Sequence, residues 1–338
     1  MKNKKLIWQL PFLVFLVIGT VLIIRQQQSM PYHKNRGLVF GTSYSLTYQC
    51  DSDLIDGIQK KLQEVDNSLS AFNELSIITA VNNNKTVKLN DMFENVFVKA
   101  MEISEITDGA FDITVAPLVN AWGFGFKNGT QPNPSQVDSL KQIVGYKKVE
   151  LKNGKIQKQD PRMMLDCSAI AKGYGCDVIA DYLRHHGVKN FMVEIGGEVV
   201  TSGVNERRLP WQIGVTKPSD DPTVSSGELM TILNVTDKAM ATSGNYRNFY
   251  YKNGKKYAHT IDPNTGYPVQ HSLLSATVIA NDCATADAFA TSFMVMGIEK
   301  AKKILDSHKE LMAYFIYSDK DGNNLVWFSP SLEKKIVK

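Results

Sequence analysis

The sequence is short of several features, and each shortage removes a class of protein. Four cysteines stand among 338 residues, Cys50, Cys167, Cys176 and Cys283. They form neither a CxxC pair nor a zinc-ligand spacing. An exported location would permit disulfides, but the spacing assigns no pairing, and isolated buried thiols fit equally well. No run of lysine and arginine occurs, nor any RNA-binding signature, and a formal charge of +4 is too small to draw a nucleic acid. No low-complexity tract and no internal repeat is present. What remains is an ordinary globular composition, 43% hydrophobic and 21% charged, on a chain long enough for one large domain or two smaller ones.

The long apolar run lies at the N-terminus. Lys2, Lys4 and Lys5 precede residues 6–24, nineteen almost entirely apolar positions broken by Gln9 and Pro11. That length suffices to cross a bilayer, and the lysines put the N-terminus inside. No small-x-small cleavage site and no lipid-carrying cysteine follows. Residues 1–25 therefore read as a signal anchor, with a cleaved signal peptide as the alternative. Residues 26–36 read as a tether. Residues 37–338 form the domain proper, on the periplasmic side of the inner membrane.

Within that domain, period and turn chemistry predict a strand over 39–48, a helix after the Asp51/Ser52/Asp53 cluster to Leu69, and a loop at 70–74. A helix over 91–106 stops at Thr107-Asp108-Gly109. A surface loop at 128–135 leads to a short helix and two short strands ending near 158. A helix follows Asp166 and closes at Gly187, and a strand over 191–195 ends at Gly196-Gly197. Further strands read at 211–215, 229–235 and 249–251, the last joined through Asn253-Gly254 to 256–261. An apolar run at 273–280 reads as a buried strand. Then come a helix with Thr285 as its N-cap, a helix over 299–307, and strands at 312–317 and 325–328. Runs of strands and helices rather than strict alternation make the class α+β, with mixed or antiparallel sheets and packed helices.

Four places carry chemistry. Asp166 and Lys172 straddle a loop-to-helix boundary, which suits an anionic ligand and equally a capped helix with an exposed lysine. Residues 241–248, ATSGNYRN, are dense in hydroxyls and amides and include Arg247; they read as a phosphate-cradling loop or a turn between strands. A strand delivers His259 to a turn at Asp262-Pro263, where it can act as a base or serve structurally. Asp287 and Thr291 stand four apart, so one helical face offers two oxygens to a hard cation such as Mg²⁺. The same acid also suits a helix dipole, with Thr291 merely packing.

The segments FGT (40–42), TDGAFDITVAPLVNAWGFG (107–125), DCSAIAKGYGCD (166–177), EIGGEV (194–199), ATSGNYRNFY, HTIDPNTGYP and ATADAFAT follow one another in this chain. In that order they resemble the FAD:protein FMN transferase family, the ApbE-like flavin transferases, from residue 40 to about 327. The resemblance implies an ApbE-like, T-fold-related domain. It implies that Phe40 and Phe72 touch the flavin and that Ala110, Phe111, Asp112, Asp166, Lys172 and Ile261 line the FAD site. It implies Mg²⁺ held by Asp287, Thr291 and backbone oxygens of Ala169 and Ala290, with His259 as the base. Phe40 replaces the family's usual methionine and Cys167 a commoner leucine; neither change removes a reacting group. The implied reaction moves FMN from FAD to a threonine or serine of an exported or membrane redox protein, releasing AMP. Acceptors carry a motif close to Asp-Gly-x-Ser/Thr-Gly/Ser-Ala-Thr. A Mg²⁺-dependent FAD pyrophosphatase and a non-catalytic FAD-binding protein are the alternative readings. The chain's own Ser275-Ala276-Thr277 matches only the end of the motif and lies in the buried strand, so Thr277 is not expected to be an acceptor.

Overall fold

The computed structural model describes residues 11–22, 30–127, 131–218, 228–245, 249–252, 255–321 and 323–337. Residues 11–22 are helical (α1) and leave large apolar side chains such as Phe12, Phe15 and Leu22 exposed. Among the described residues no helix is long and apolar enough to cross a membrane. Residues 1–10 and 23–25 of the expected anchor lie outside the described residues.

Strand β1 (Tyr32–Val39) turns at Phe40-Gly41 into β2 (Thr42–Gln49), with Val39 paired to Thr42. Both turn residues have positive φ, 51° and 72°, the backbone that lets a two-residue hairpin follow the twist of its strands. This corrects two expectations. The single strand over 39–48 is a hairpin end, and residues 32–36 belong to β1 rather than to a tether.

Helices α2 (Ile55–Leu69), α3 (Ile77–Asn82) and α4 (Asp91–Ile106) come next, then α5 (Ala116–Ala121), α6 (Pro134–Lys141) and the hairpin β3 (Val149–Lys152)–β4 (Lys155–Lys158). Helix α2 buries Ile58, Leu62, Val65 and Leu69, one stripe at helical spacing. The Asn90 side chain caps α4 by accepting from the Phe93 amide. The six-residue helices α3 and α5 are too short for periodicity to mark. Their local signals are the Ser76 side chain, which accepts from the Thr79 amide, and Pro117 in the first turn. So short a helix forms only where packing holds it.

The chain continues through α7 (Ala171–His185), β5 (Phe191–Ile195), β6 (Glu198–Ser202), β7 (Gln212–Thr216), β8 (Leu229–Asn234), β9 (Ala239–Gly244), β10 (Phe249–Lys252) and β11 (Lys255–Ala258). It ends with β12 (Leu273–Ala280), α8 (Cys283–Met296), α9 (Ile298–Ser307), β13 (Met312–Ser318) and β14 (Asn324–Phe328). Eight strands form one antiparallel sheet in the order β1-β2-β5-β6-β9-β12-β13-β14. Helices α7 and α8 pack on one face. The β7–β8 hairpin covers the other, with Val215, Leu233 and Val235 against Met240, Ile279 and Tyr314.

Coverage on both faces is why β12 is a continuous apolar run and not an alternating one. It also explains a correction at 239–244. Thr242, Ser243 and Gly244 have loop composition, yet pairing with β12 from Gly244–Ser275 to Ala239–Ala280 makes them a central strand. Tyr246, Arg247 and Asn248 of that segment lie outside the described residues, as does the Asn253-Gly254 turn. Helix α8 begins two residues before the expected cap: the Asp282 carboxylate accepts from the Thr285 amide at 2.9 Å and from the Thr285 hydroxyl at 2.9 Å. Aspartate caps at least as well as threonine, and Thr285 becomes its partner in the first turn.

Candidate active site

A cavity of about 870 Å³ opens beside the helical face of the sheet. Phe40, Phe72, Ala110, Phe111, Asp112, Asp166, Ala169, Lys172, His259, Ile261, Asp287 and Thr291 all line it. Ala290 does not; its side chain is buried within α8. Six separated segments thus meet at one place.

Each segment is fixed for a local reason. Phe40 sits at the β1–β2 turn, a left-handed backbone that costs a non-glycine residue about 1–3 kcal/mol. A Cβ at Gly175 would stand 2.8 Å from the Phe40 ring, so α7 approaches that ring closely. Phe72 is 68% exposed at the rim, edge-on to Phe126. Ile261 is seated among Leu118, Trp122, Val137 and Val144, and the Trp122 indole donates to the Gly266 carbonyl at 2.9 Å. The Thr260 hydroxyl donates to Asn245 at 2.8 Å. Immediately before these anchors His259 faces the cavity, with its ring edge-to-face against Phe124.

The acids divide by what their oxygens already hold. Asp112 is buried, and its Oδ1 accepts from the Thr114 amide (2.7 Å) and hydroxyl (2.6 Å), its Oδ2 from the Tyr146 amide (2.7 Å). Burial pushes its carboxyl up against those bonds. Asp112 therefore shapes the loop behind the cavity wall. Asp166 accepts from the Ser168 amide and hydroxyl, and its own amide donates to the Ile113 carbonyl at 2.7 Å, tying two lining segments together. Burial raises its carboxyl as well.

Lys172 lies in the first turn of α7. Its Nζ is 2.8 Å from Glu198 Oε1 and 3.7 Å from Asp287 Oδ1. Burial opposes the ammonium charge, but Asp287 and then Glu198 outweigh it and hold Lys172 above the ordinary lysine range. Burial also pushes the Glu198 carboxyl up to about 7, against the pull of Lys172. The lysine expected either to meet an anionic ligand or to stand exposed thus has two internal carboxylate partners. Glu198 stands in the EIGGEV segment, and sequence reasoning gave it no role. The signal available was an acid directly after a Gly-Gly turn. That turn is closed by Glu194, whose Oε1 accepts from the Gly197 amide at 2.7 Å.

Helices α7 and α8 cap each other. Asp287 Oδ2 accepts from the Gly173 amide at 3.0 Å. Asp177 accepts from the Cys283 and Ala284 amides at 2.8 Å each. These bonds satisfy helix-start amides that have no intrahelical partner. Asp177 was also missed, since nothing local marks a mid-helix aspartate as the cap of another helix.

Among the described residues no group of three or more His, Cys, Asp and Glu side chains is placed to hold a metal ion. A cation here would draw on mixed oxygens. Asp287 Oδ1 lies beyond hydrogen-bond distance of Lys172, Thr291 Oγ1 is 3.0 Å from Ser243 Oγ, and Ala169 lines the same cavity. Carboxylate, hydroxyl and carbonyl oxygens are the donors a hard divalent ion takes. The buried Glu198 Oε2 has no hydrogen-bond partner among the described residues, and a cation in the pocket would offset the burial that pushes this carboxyl up. The residues fit such an ion.

Comparison with known proteins agrees with this architecture. The model of the ApbE family matches residues 40–315. The FAD:protein FMN transferase of Vibrio cholerae serotype O1 is 34% identical over 297 residues, 85% of this chain and 87% of that protein. The protein of the same name from Haemophilus influenzae is 34% identical over 318 residues, 89% and 90% of the two chains. The structure of the flavin transferase ApbE from Vibrio cholerae superposes with a TM-score of 0.81 at 33% identity, covering 90% of this chain and all of that one. The ApbE protein of Thermotoga maritima gives 0.79 at 26% identity over 91% of this chain. With a family model across most of its length and relatives above 30% identity, the chain belongs to the ApbE family.

Proposed function

We propose that this protein transfers FMN from FAD to a threonine or serine hydroxyl of a separate acceptor protein, with Mg²⁺ as its metal and AMP as the second product. The relatives named FAD:protein FMN transferase support the transfer. The observation that carries the chemistry is the meeting of His259, Lys172 and the Asp287/Thr291 pair in one cavity.

Phe40, Phe72, Ala110, Phe111 and Ile261 give an apolar surface for the isoalloxazine ring. His259 takes the proton from the acceptor hydroxyl, which is a poor nucleophile until then. The oxygen bonds to the phosphorus next to the ribityl chain, and the pyrophosphate bond breaks with its electron pair leaving on AMP. Asp287, Thr291 and the Ala169 carbonyl would hold Mg²⁺, which would supply neutralising charge on the pyrophosphate. The acceptor is an exported or membrane redox protein with the Asp-Gly-x-Ser/Thr-Gly/Ser-Ala-Thr motif. The reaction takes place on the periplasmic side of the inner membrane, with residues 1–25 as the anchor; the basic flank and apolar run support that location.

Incubating protein, FAD and Mg²⁺ with and without an acceptor peptide tests this. AMP is expected only with the peptide and not in EDTA. Equal AMP without the peptide would identify a pyrophosphatase, and FAD binding with no AMP in any arm a carrier.

A further inference from the structure

We propose that Glu198 is a positioning residue: it holds the Lys172 ammonium off Asp287 and so keeps the Asp287 carboxylate available to a divalent cation. The inference rests on the metal-dependent reading above and goes beyond it to a residue outside the cation's own donor set.

The geometry is a competition for one ammonium group. Lys172 Nζ lies 2.8 Å from Glu198 Oε1 but 3.7 Å from Asp287 Oδ1. The first is a charge-assisted hydrogen bond; the second is too long to be one. The lysine stem is gripped where it passes the Gly196 turn, since a Cβ there would stand 3.2 Å from Lys172 Cδ and 2.9 Å from Thr42. Glu198 opens β6, and the Cys176 thiol donates to its carbonyl at 3.2 Å. The Asp287 carboxylate is fixed from the other side by the Gly173 amide. Both carboxylates are almost wholly buried, while the lysine is 29% exposed. With Glu198 gone, the tethered ammonium has one buried anion left to neutralise, and that anion is Asp287. A direct Lys172–Asp287 pair would then occupy the oxygen a cation needs. In its ionised form Glu198 has a second contribution, because its Oε2 is buried against the same cavity without a hydrogen-bond partner among the described residues and adds negative potential there.

The test reads cation binding, not turnover. Mn²⁺ is titrated calorimetrically into the full chain saturated with FAD, in the absence of any acceptor. Glu198→Met is expected to bind Mn²⁺ about 10- to 100-fold more weakly than the wild type, the usual scale for losing a group that orients a ligand. Glu198→Gln, which keeps an acceptor for Nζ, recovers part of that loss. The decisive arm is the same substitution in a Lys172→Met background. There the competitor is absent, and Glu198→Met is expected to cost much less than in the wild type. Equal losses in both backgrounds would mean that Glu198 does not act through Lys172, and no loss in either would end the proposal. Should Glu198→Met not fold, the cycle run with Glu198→Gln decides by the same comparison. Wild-type protein that takes up no Mn²⁺ overturns the metal-dependent reading together with this one.

Discussion

Asp177 in α7 and Asp287 in α8 each close the start of the other's helix, Asp177 through the Cys283 and Ala284 amides and Asp287 through the Gly173 amide. The helix pair beside the cavity is therefore one unit, and disturbing either acid loosens both helices.

Asp177 makes the stability of that unit pH-dependent. Burial, only partly offset by its two amide bonds, pushes its carboxyl from the ordinary 3.8 up to about 7, with Asp282 raising it and Lys99 lowering it. The folded state then binds more protons than the unfolded one between those values. The stabilising contribution is complete below the unfolded pKa and is lost as pH rises through about 7, by at most ~1.4 kcal/mol per pH unit. Asp177→Asn cannot titrate. The unfolding free energy of the wild type minus that of Asp177→Asn should fall from about pH 5 to about pH 7 and level off above. A difference that stays flat over that range contradicts the assignment.

Gly173 marks the closest approach of α7 and α8. A Cβ there would stand 2.3 Å from the Cys283 carbonyl oxygen, 2.7 Å from its carbon and 2.9 Å from the Ala284 nitrogen, all backbone atoms. No flexible side chain can yield, so the helices must part. Gly173→Ala is expected to cost about 3 kcal/mol or more, the upper range for overpacking. Denaturant unfolding measures this, and an unchanged midpoint would show that the helices have room to separate.

His259 is set at the cavity by the two residues that follow it, Thr260 bonded to Asn245 and Ile261 in its apolar cluster. Removing the imidazole leaves those anchors in place. His259→Ala is expected to slow FMN transfer roughly 10²-fold or more, the scale for losing a general base, with FAD affinity little changed. Steady-state AMP release across a pH series checks it. A pH–rate profile identical to that of the wild type puts the base elsewhere.

Thr277 is 1% exposed in β12, and its hydroxyl lies 2.9 Å from that of Thr242 in the neighbouring strand. No partner's active site can reach it without opening the sheet. After incubation with FAD and Mg²⁺, a denaturing gel should show no flavin fluorescence at this protein's own mass. A fluorescent band there that vanishes in Thr277→Ala would falsify the expectation.

Local order alone determined a good part of this protein. Helical spacing put Asp287 and Thr291 on one face, the unalternating run at 273–280 announced a strand covered on both sides, and seven ordered segments carried the family. These signals are legible because each lies within a few residues of chain, where period and turn chemistry act. Only the tertiary structure decided what those residues hold. Asp112 spends both oxygens on Thr114 and Tyr146, Lys172 is bound by Glu198, and Gly173 meets an acid 114 positions away. Buried charges and orphan helix amides take whichever partner packing brings within about 3 Å, and no local pattern encodes that choice.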